Sequence, residues 1–162
     1  MTTELKPAVL EMKDQIEEIK TPEIKNFVVN ALSMAPESFY QDEELLSHTK
    51  KTYAVLMGLL GEEAGAPGLA DAFRAAVLLQ DLCHNETGDQ YRRIHPVMVR
   101  TLLQPIRKDL SGPIFDTILG MIEGHEADNS PSPLLEPKPT NTAFLLAFAN
   151  KFVRLDCVTV NA

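Results

Sequence analysis

The sequence predicts an all-α protein folded as a single-domain helical bundle, and three observations carry that expectation. No segment alternates apolar and polar residues at period two, whereas several repeat apolar residues at helical spacing. Prolines and glycines punctuate the chain at intervals of helical length. The chain has 162 residues, 44% of them hydrophobic, which suits one domain with a buried core. Helix should therefore cover well over the usual third of residues.

Taken in order, residues 6–20 place Val9, Leu10, Met12, Ile16 and Ile19 near one helical face. Thr21 can cap a second helix and Pro22 fits its first turn. That helix runs through IKNFVVNALSMA until Pro36-Glu37-Ser38 interrupts it. His48 stands near the start of a long apolar helix, HTKKTYAVLMGLLGEEA, and Gly65, Pro67 and Gly68 form the loop that follows. The segment LADAFRAAVLLQDLCHN is the most hydrophobic and should be the central helix, with NETGD as its exit loop. Pro96 suits the first turn of a helix over HPVMVRTLLQPI, and Ser111-Gly112-Pro113 opens another that ends near Gly124 or His125. Residues 128–140 hold four of the eleven prolines and read as an ordered surface loop, a lid being one role for it. The last helix covers about NTAFLLAFANKFVRLD, capped by Asn141 or Thr142. In domain terms, residues 1–40 supply N-terminal helices that pack on a core spanning 41–157.

The net charge of −8 argues against general nucleic-acid binding, which needs a basic face. It leaves room for a small phosphorylated ligand held by a local basic cluster or a metal. The two cysteines, Cys83 and Cys157, form no CxxC pair, so a zinc-thiolate site is unsupported and both are expected to be reduced. The N-terminus lacks the apolar core of a signal peptide, and no run approaches the about 18 apolar residues of a membrane span. A soluble, cytoplasmic protein without membrane contact is the expectation, with a homodimer or a protein partner as further options.

The residues that can carry chemistry stand in series: His48, Gln80-Asp81, His95, His125 and Asn150, each in or beside a predicted helix. Asp81 follows the apolar run AAVLLQ, where a carboxylate needs a partner. Taken singly, each histidine is more often a helix-end residue than a ligand, and Asp81 more often a solvated carboxylate. The set raises the odds, because a helical bundle can point ligands inward from several helices to hold a divalent metal. His84, four positions after Gln80 and three after Asp81, can reach the same face and supply an imidazole, but the reading preferred is that it only marks the helix end. Asn150 lies within FLLAFANKFV, so it should be buried and hydrogen-bonded. Arg92, Arg93, Arg100, Arg107 and Lys108 concentrate positive charge, which reads either as phosphate recognition or as ordinary surface pairing.

These pieces together resemble the HD-domain metal-dependent phosphohydrolases, closest to the small forms of bacteriophage and bacterial genomes. The resemblance runs from about residue 20 to 156 and rests on NALSMAPESFY, HTKKTYAVL, AAVLLQDLCHN, HPVMVRTLL, IEGH, LLEPKPTNT and LAFANKF. It implies metal ligands at His48 and Asp81, with His95 and His125 matching extra histidines that some members use for a second metal or for substrate phosphate. Gln80 stands where the doublet histidine is expected, and Asn150 where the terminal aspartate is expected. It further implies a divalent cofactor, manganese or another transition metal or magnesium, in a bacterial or phage-infected cell. Asp81 and His125 are then the catalytic candidates, and Arg92, Arg93 and Lys138 the candidates to bind substrate. The activity implied is hydrolysis of a phosphomonoester, nucleotide or cyclic nucleotide. The alternative is a catalytically inactive relative that binds a nucleotide or a partner protein.

Overall fold

Two short helices, α1 (Pro7–Glu11) and α2 (Lys13–Glu17), stand where one amphipathic helix is expected over residues 6–20. The chain breaks at Met12, which leaves helical geometry (φ −103°, ψ 15°) so that Ala8, Val9, Met12, Ile16 and Ile19 can all be buried. The computed structural model describes residues 4–61, 67–137 and 142–162, and among these there is no strand.

Helix α3 (Pro22–Ser33) begins at the expected proline, but Thr21 does not cap it. The Thr21 hydroxyl and amide instead donate to Asp71 Oδ2 at 2.7 Å each, and the Lys20 amide donates to the same oxygen at 3.0 Å. A buried carboxylate from a distant helix thus satisfies the donors at this helix start. Where Pro36-Glu37-Ser38 reads as an interruption, a one-turn helix α4 (Glu37–Tyr40) forms. Helix α5 (Glu43–Leu60) starts five residues before His48, because Asp42 accepts from the Leu45 amide and caps it.

Helix α6 (Pro67–Leu79) takes Pro67 and Gly68 into its first turn, where a loop is expected; Gly65 lies outside the described residues. It is central as expected, since Ala75, Ala76, Val77, Leu78 and Leu79 are fully buried. After a 3₁₀ stretch over Asp89–Ile94 come α7 (His95–Leu103), a second 3₁₀ stretch over Gln104–Asp109, and α8 (Gly112–Gly124). Residues 128–137 hold 3₁₀ turns rather than a long helix, as their prolines require. Helix α9 (Thr142–Val153) closes the bundle; Asn141 and Lys138 lie outside the described residues.

Helices α5, α6, α8 and α9 pack on one another as the core, with α3 laid on α6 and α7 on α8. The N-terminal helices α1 and α2 pack on α3, and α4 packs on α1 and α5. Phe27 of α3 and Phe115 of α8 meet edge to face at 6.0 Å and 89°, tying that layer to the core. The helix ends that follow α6, precede α7 and terminate α8 carry Asp81, His95 and His125.

Candidate metal centre

Helix α6 ends at Leu79, and a run of turns carries the chain onward: the Leu82 amide bonds to Leu79, His84 to Asp81 and Glu86 to Cys83. Gln80 and Asp81 therefore sit just past the helix, fully enclosed. His95 is the first residue of α7 and His125 directly follows the last residue of α8; both are buried.

Each of these two rings is oriented by its other nitrogen. His95 Nδ1 donates to the Arg92 carbonyl at 2.7 Å, and His125 Nδ1 donates to the Ile122 carbonyl at 2.6 Å. A carbonyl can only accept, so both Nδ1 atoms carry their protons, and each Nε2 presents a lone pair whenever its ring is neutral. Those lone pairs converge. His95 Nε2 and His125 Nε2 are 3.1 Å apart, and they lie 3.1 and 3.3 Å from Asp81 Oδ1. Glu126 Oε1 completes the group at 3.2 Å from His125 Nε2 and 3.8 Å from His95 Nε2. Four acceptor atoms face one point, all within 4.8 Å of one another, so the group can hold a metal ion.

The residues fit such an ion on two counts. A first-row metal with bonds of about 2.1 Å places neighbouring ligands roughly 3 to 3.5 Å apart, matching the four shortest separations here, 3.1 to 3.3 Å. Two imidazoles and two carboxylates also suit manganese, iron, cobalt or zinc. Without a metal, one proton must serve the same acceptors. Burial opposes charge on His125, but bonds to Asp81 and Glu126 outweigh it and push the imidazole up to about 9. Burial likewise opposes charge on Asp81, while the hydrogen bonds from His125 and His95 hold it well below the usual carboxylate range. Glu126 is lowered in the same way by His125 and by Arg154, whose guanidinium grips its carboxylate with two bonds of 3.1 Å.

Around this group the sequence-derived candidates take different places. Gln80 donates through Nε2 to Asp81 Oδ2 at 3.2 Å and to Asn150 Oδ1 at 3.1 Å. Asn150 is buried and hydrogen-bonded as expected, donating to the His125 carbonyl at 3.1 Å and accepting from His48 Nε2 at 2.7 Å. His48 stands 3.9 Å from Asp81 Oδ2, whereas His95 and His125 lie against Oδ1. His84 brings Nδ1 to 3.8 Å from Asp81 Oδ1 and its ring to 4.9 Å from that of His95. All four histidines of the chain thus surround Asp81.

Beside the group opens a cleft of about 630 Å³, walled by His48, His84, Asn85, Arg92, Arg93, His95, Glu126 and Arg154 among others. Arg92 pairs with Asp89, whereas Arg93 donates to the carbonyls of Asn129 and Ser130. The rest of the basic cluster is elsewhere: Arg100 is clamped by Glu123, and Arg107 lies over the Phe115 ring at 5.5 Å. Glu126 is the member that sequence reading did not name. Its one signal is adjacency to His125 in the run EGHEAD, at the point where a helix ends.

Comparison with models of known protein families, with curated proteins and with solved structures finds no match to this chain. No described helix is long and apolar enough to cross a membrane.

Proposed function

We propose that this protein is a divalent-metal-dependent phosphohydrolase acting on a small phosphorylated molecule, a phosphomonoester, nucleotide or cyclic nucleotide, in the cleft beside Asp81. The observation that supports this reading most is the convergence on one point of four atoms able to ligate a metal, one each from Asp81, His95, His125 and Glu126. When bound, a divalent cation supplies Lewis-acid polarisation of a phosphoryl oxygen and acidifies water.

The chain's own residues supply the rest. Asp81 and Glu126 bring two negative charges, and the two histidines present fixed lone pairs. Arg93 has its bonds to neutral carbonyls, so its charge is available to orient a phosphate at the cleft wall. His84 is kept neutral chiefly by burial, with Arg92 and Arg154 adding to the effect and Asp81 opposing it. A neutral imidazole on the cleft wall retains one nitrogen that can take a proton from an attacking water.

The test is hydrolysis of a panel of phosphomonoesters, nucleotides and cyclic nucleotides with manganese, before and after chelation. Asp81→Ala is expected to abolish turnover and Glu126→Gln to lower it roughly 10- to 100-fold, in line with the loss of a ligand or its support. Metal-independent turnover, or full activity in Asp81→Ala, overturns the reading. One observation favours a second reading, a non-catalytic binding protein: Gln80 and Asn150 are neutral amides engaged with each other. Tight nucleotide binding without hydrolysis under any divalent metal would select it.

A further inference from the structure

We infer that the centre takes a single cation, on the Oδ1 side of Asp81 only, because Gln80, Asn150 and His48 fill the Oδ2 side with N–H donors. This rests on the metal reading above.

The hydrogen-bond pattern gives the two carboxylate oxygens opposite surroundings. Asn150 Nδ2 donates to the His125 carbonyl, which turns Asn150 Oδ1 toward His48 Nε2 and Gln80 Nε2. A carboxamide oxygen only accepts, so His48 Nε2 must carry its proton and act as donor. Gln80 Nε2 spends its two hydrogens on Asn150 Oδ1 and Asp81 Oδ2. Its Oε1 is buried with no hydrogen-bond partner among the described residues. That arrangement follows when the amide nitrogen, not the oxygen, sets the orientation. On the Oδ2 side a cation would meet N–H groups, whereas on the Oδ1 side it meets the lone pairs of His95, His125 and Glu126.

Charge leads to the same conclusion. Asp81 and Glu126 together balance one divalent cation. Gln80, Asn150 and His48 bring no negative charge, so a second dication a few ångströms away would be buried beside the first without a carboxylate of its own. At such separations the repulsion is far larger than in water. Gln80 and Asn150 are therefore the residues that set the number of ions, by sealing one side of a shared carboxylate.

The experiment is a manganese titration of the whole 162-residue chain, read by elemental analysis after gel filtration and by electron paramagnetic resonance. The expected result is one equivalent per chain with the spectrum of an isolated ion. Two tightly bound equivalents with an exchange-coupled spectrum overturn this inference and leave the metal reading standing. No bound manganese overturns the metal reading itself. His48→Ala is expected to retain its one equivalent, and His95→Ala to lose it at the same concentration; loss in His48→Ala as well overturns the assignment of sides. The double variant Gln80→His, Asn150→Asp, shown to be folded by circular dichroism, is expected to take up a second equivalent. A folded double variant that still binds one ion overturns the role given to the two amides.

Discussion

Asp71 and Asp81 are both fully buried carboxylates about ten residues apart, and their surroundings separate structure from chemistry. Every oxygen of Asp71 meets donors: Lys20 and Thr21 on Oδ2, and Arg74 Nη1 on Oδ1 at 2.8 Å. Asp81 Oδ1 meets the acceptor atoms of two imidazoles and a second carboxylate. The first arrangement is complete in itself; the second calls for a proton or a cation. Burial raises the Asp71 carboxyl, but the Thr21 hydroxyl and amide, with Arg74 and Lys20, more than offset it and leave the group below its ordinary 3.8. A depressed folded-state value means stability that is present above 3.8, the unfolded value, and is lost as pH falls below it toward the folded value. Asp71→Asn is therefore expected to destabilise the protein at pH 7 by about 2 kcal/mol. Urea melts at descending pH should show the difference from the parent shrinking below about pH 4. A gap that is the same at pH 7 and pH 3 would contradict this assignment.

At the scale of elements, the decisive feature is where helices stop. Consecutive residues in a helix diverge by about 100°, so His125 and Glu126 read as pointing to different faces. His125 still has helical dihedrals (φ −67°, ψ −19°), Glu126 departs from them (φ −85°, ψ 2°) and Ala127 is left-handed (φ 53°); at this helix end His125 Nε2 and Glu126 Oε1 come within 3.2 Å. That turn is held against its neighbours. A Cβ on Gly124 would lie 3.0 Å from the Leu135 carbonyl oxygen and 3.2 Å from Ala143 Cβ. Alanine is the better helix former by about 1 kcal/mol, yet the backbone oxygen cannot yield as a flexible side chain would. Gly124→Ala is thus expected to lower stability by roughly 1–2 kcal/mol net, through overpacking between α8, α9 and the 133–135 turn. A thermal melt checks this, and a rise in Tm would show that the turn gives way. The same logic governs Gln80 and Asp81: reading them as interior to a helix misplaces them, because α6 ends one residue earlier.

For the whole molecule, the candidate ligands come from the exit of α6, the start of α7 and the end of α8. An ion there would tie all three together, where α8 already packs on α6 and on α7 and the Arg100–Glu123 pair joins α7 to α8. Binding only to the folded state stabilises by mass action, about 2.7 kcal/mol at a free ion concentration of 100 times Kd. For a domain of this size that is a rise in Tm of roughly 5–10 °C, reversed by chelator and absent in His95→Ala. Differential scanning fluorimetry with manganese tests this, and an unchanged Tm at saturating manganese would count against the site.

The sequence by itself determined the all-α class and the centrality of α6, because apolar spacing reports which faces avoid water. It also named Asp81 and Asn150, since a charged or polar residue inside or beside an apolar run must find a partner, and it named His95 and His125 as members of a series of helix-end histidines. Glu126 was not legible: among 23 acidic residues, a glutamate is by default solvated, and nothing local shows a helix end folding it inward. Nor was the division of Asp81 into an acceptor-lined and a donor-lined side, for it depends on Asn150 reaching across 70 positions to Gln80 and 102 to His48. Such bonds are set by the packing of α5, α6, α8 and α9 against one another. Local periodicity decides what is buried; only the tertiary structure decides which buried polar atoms face each other, because hydrogen bonding is directional and hydrophobic burial is not.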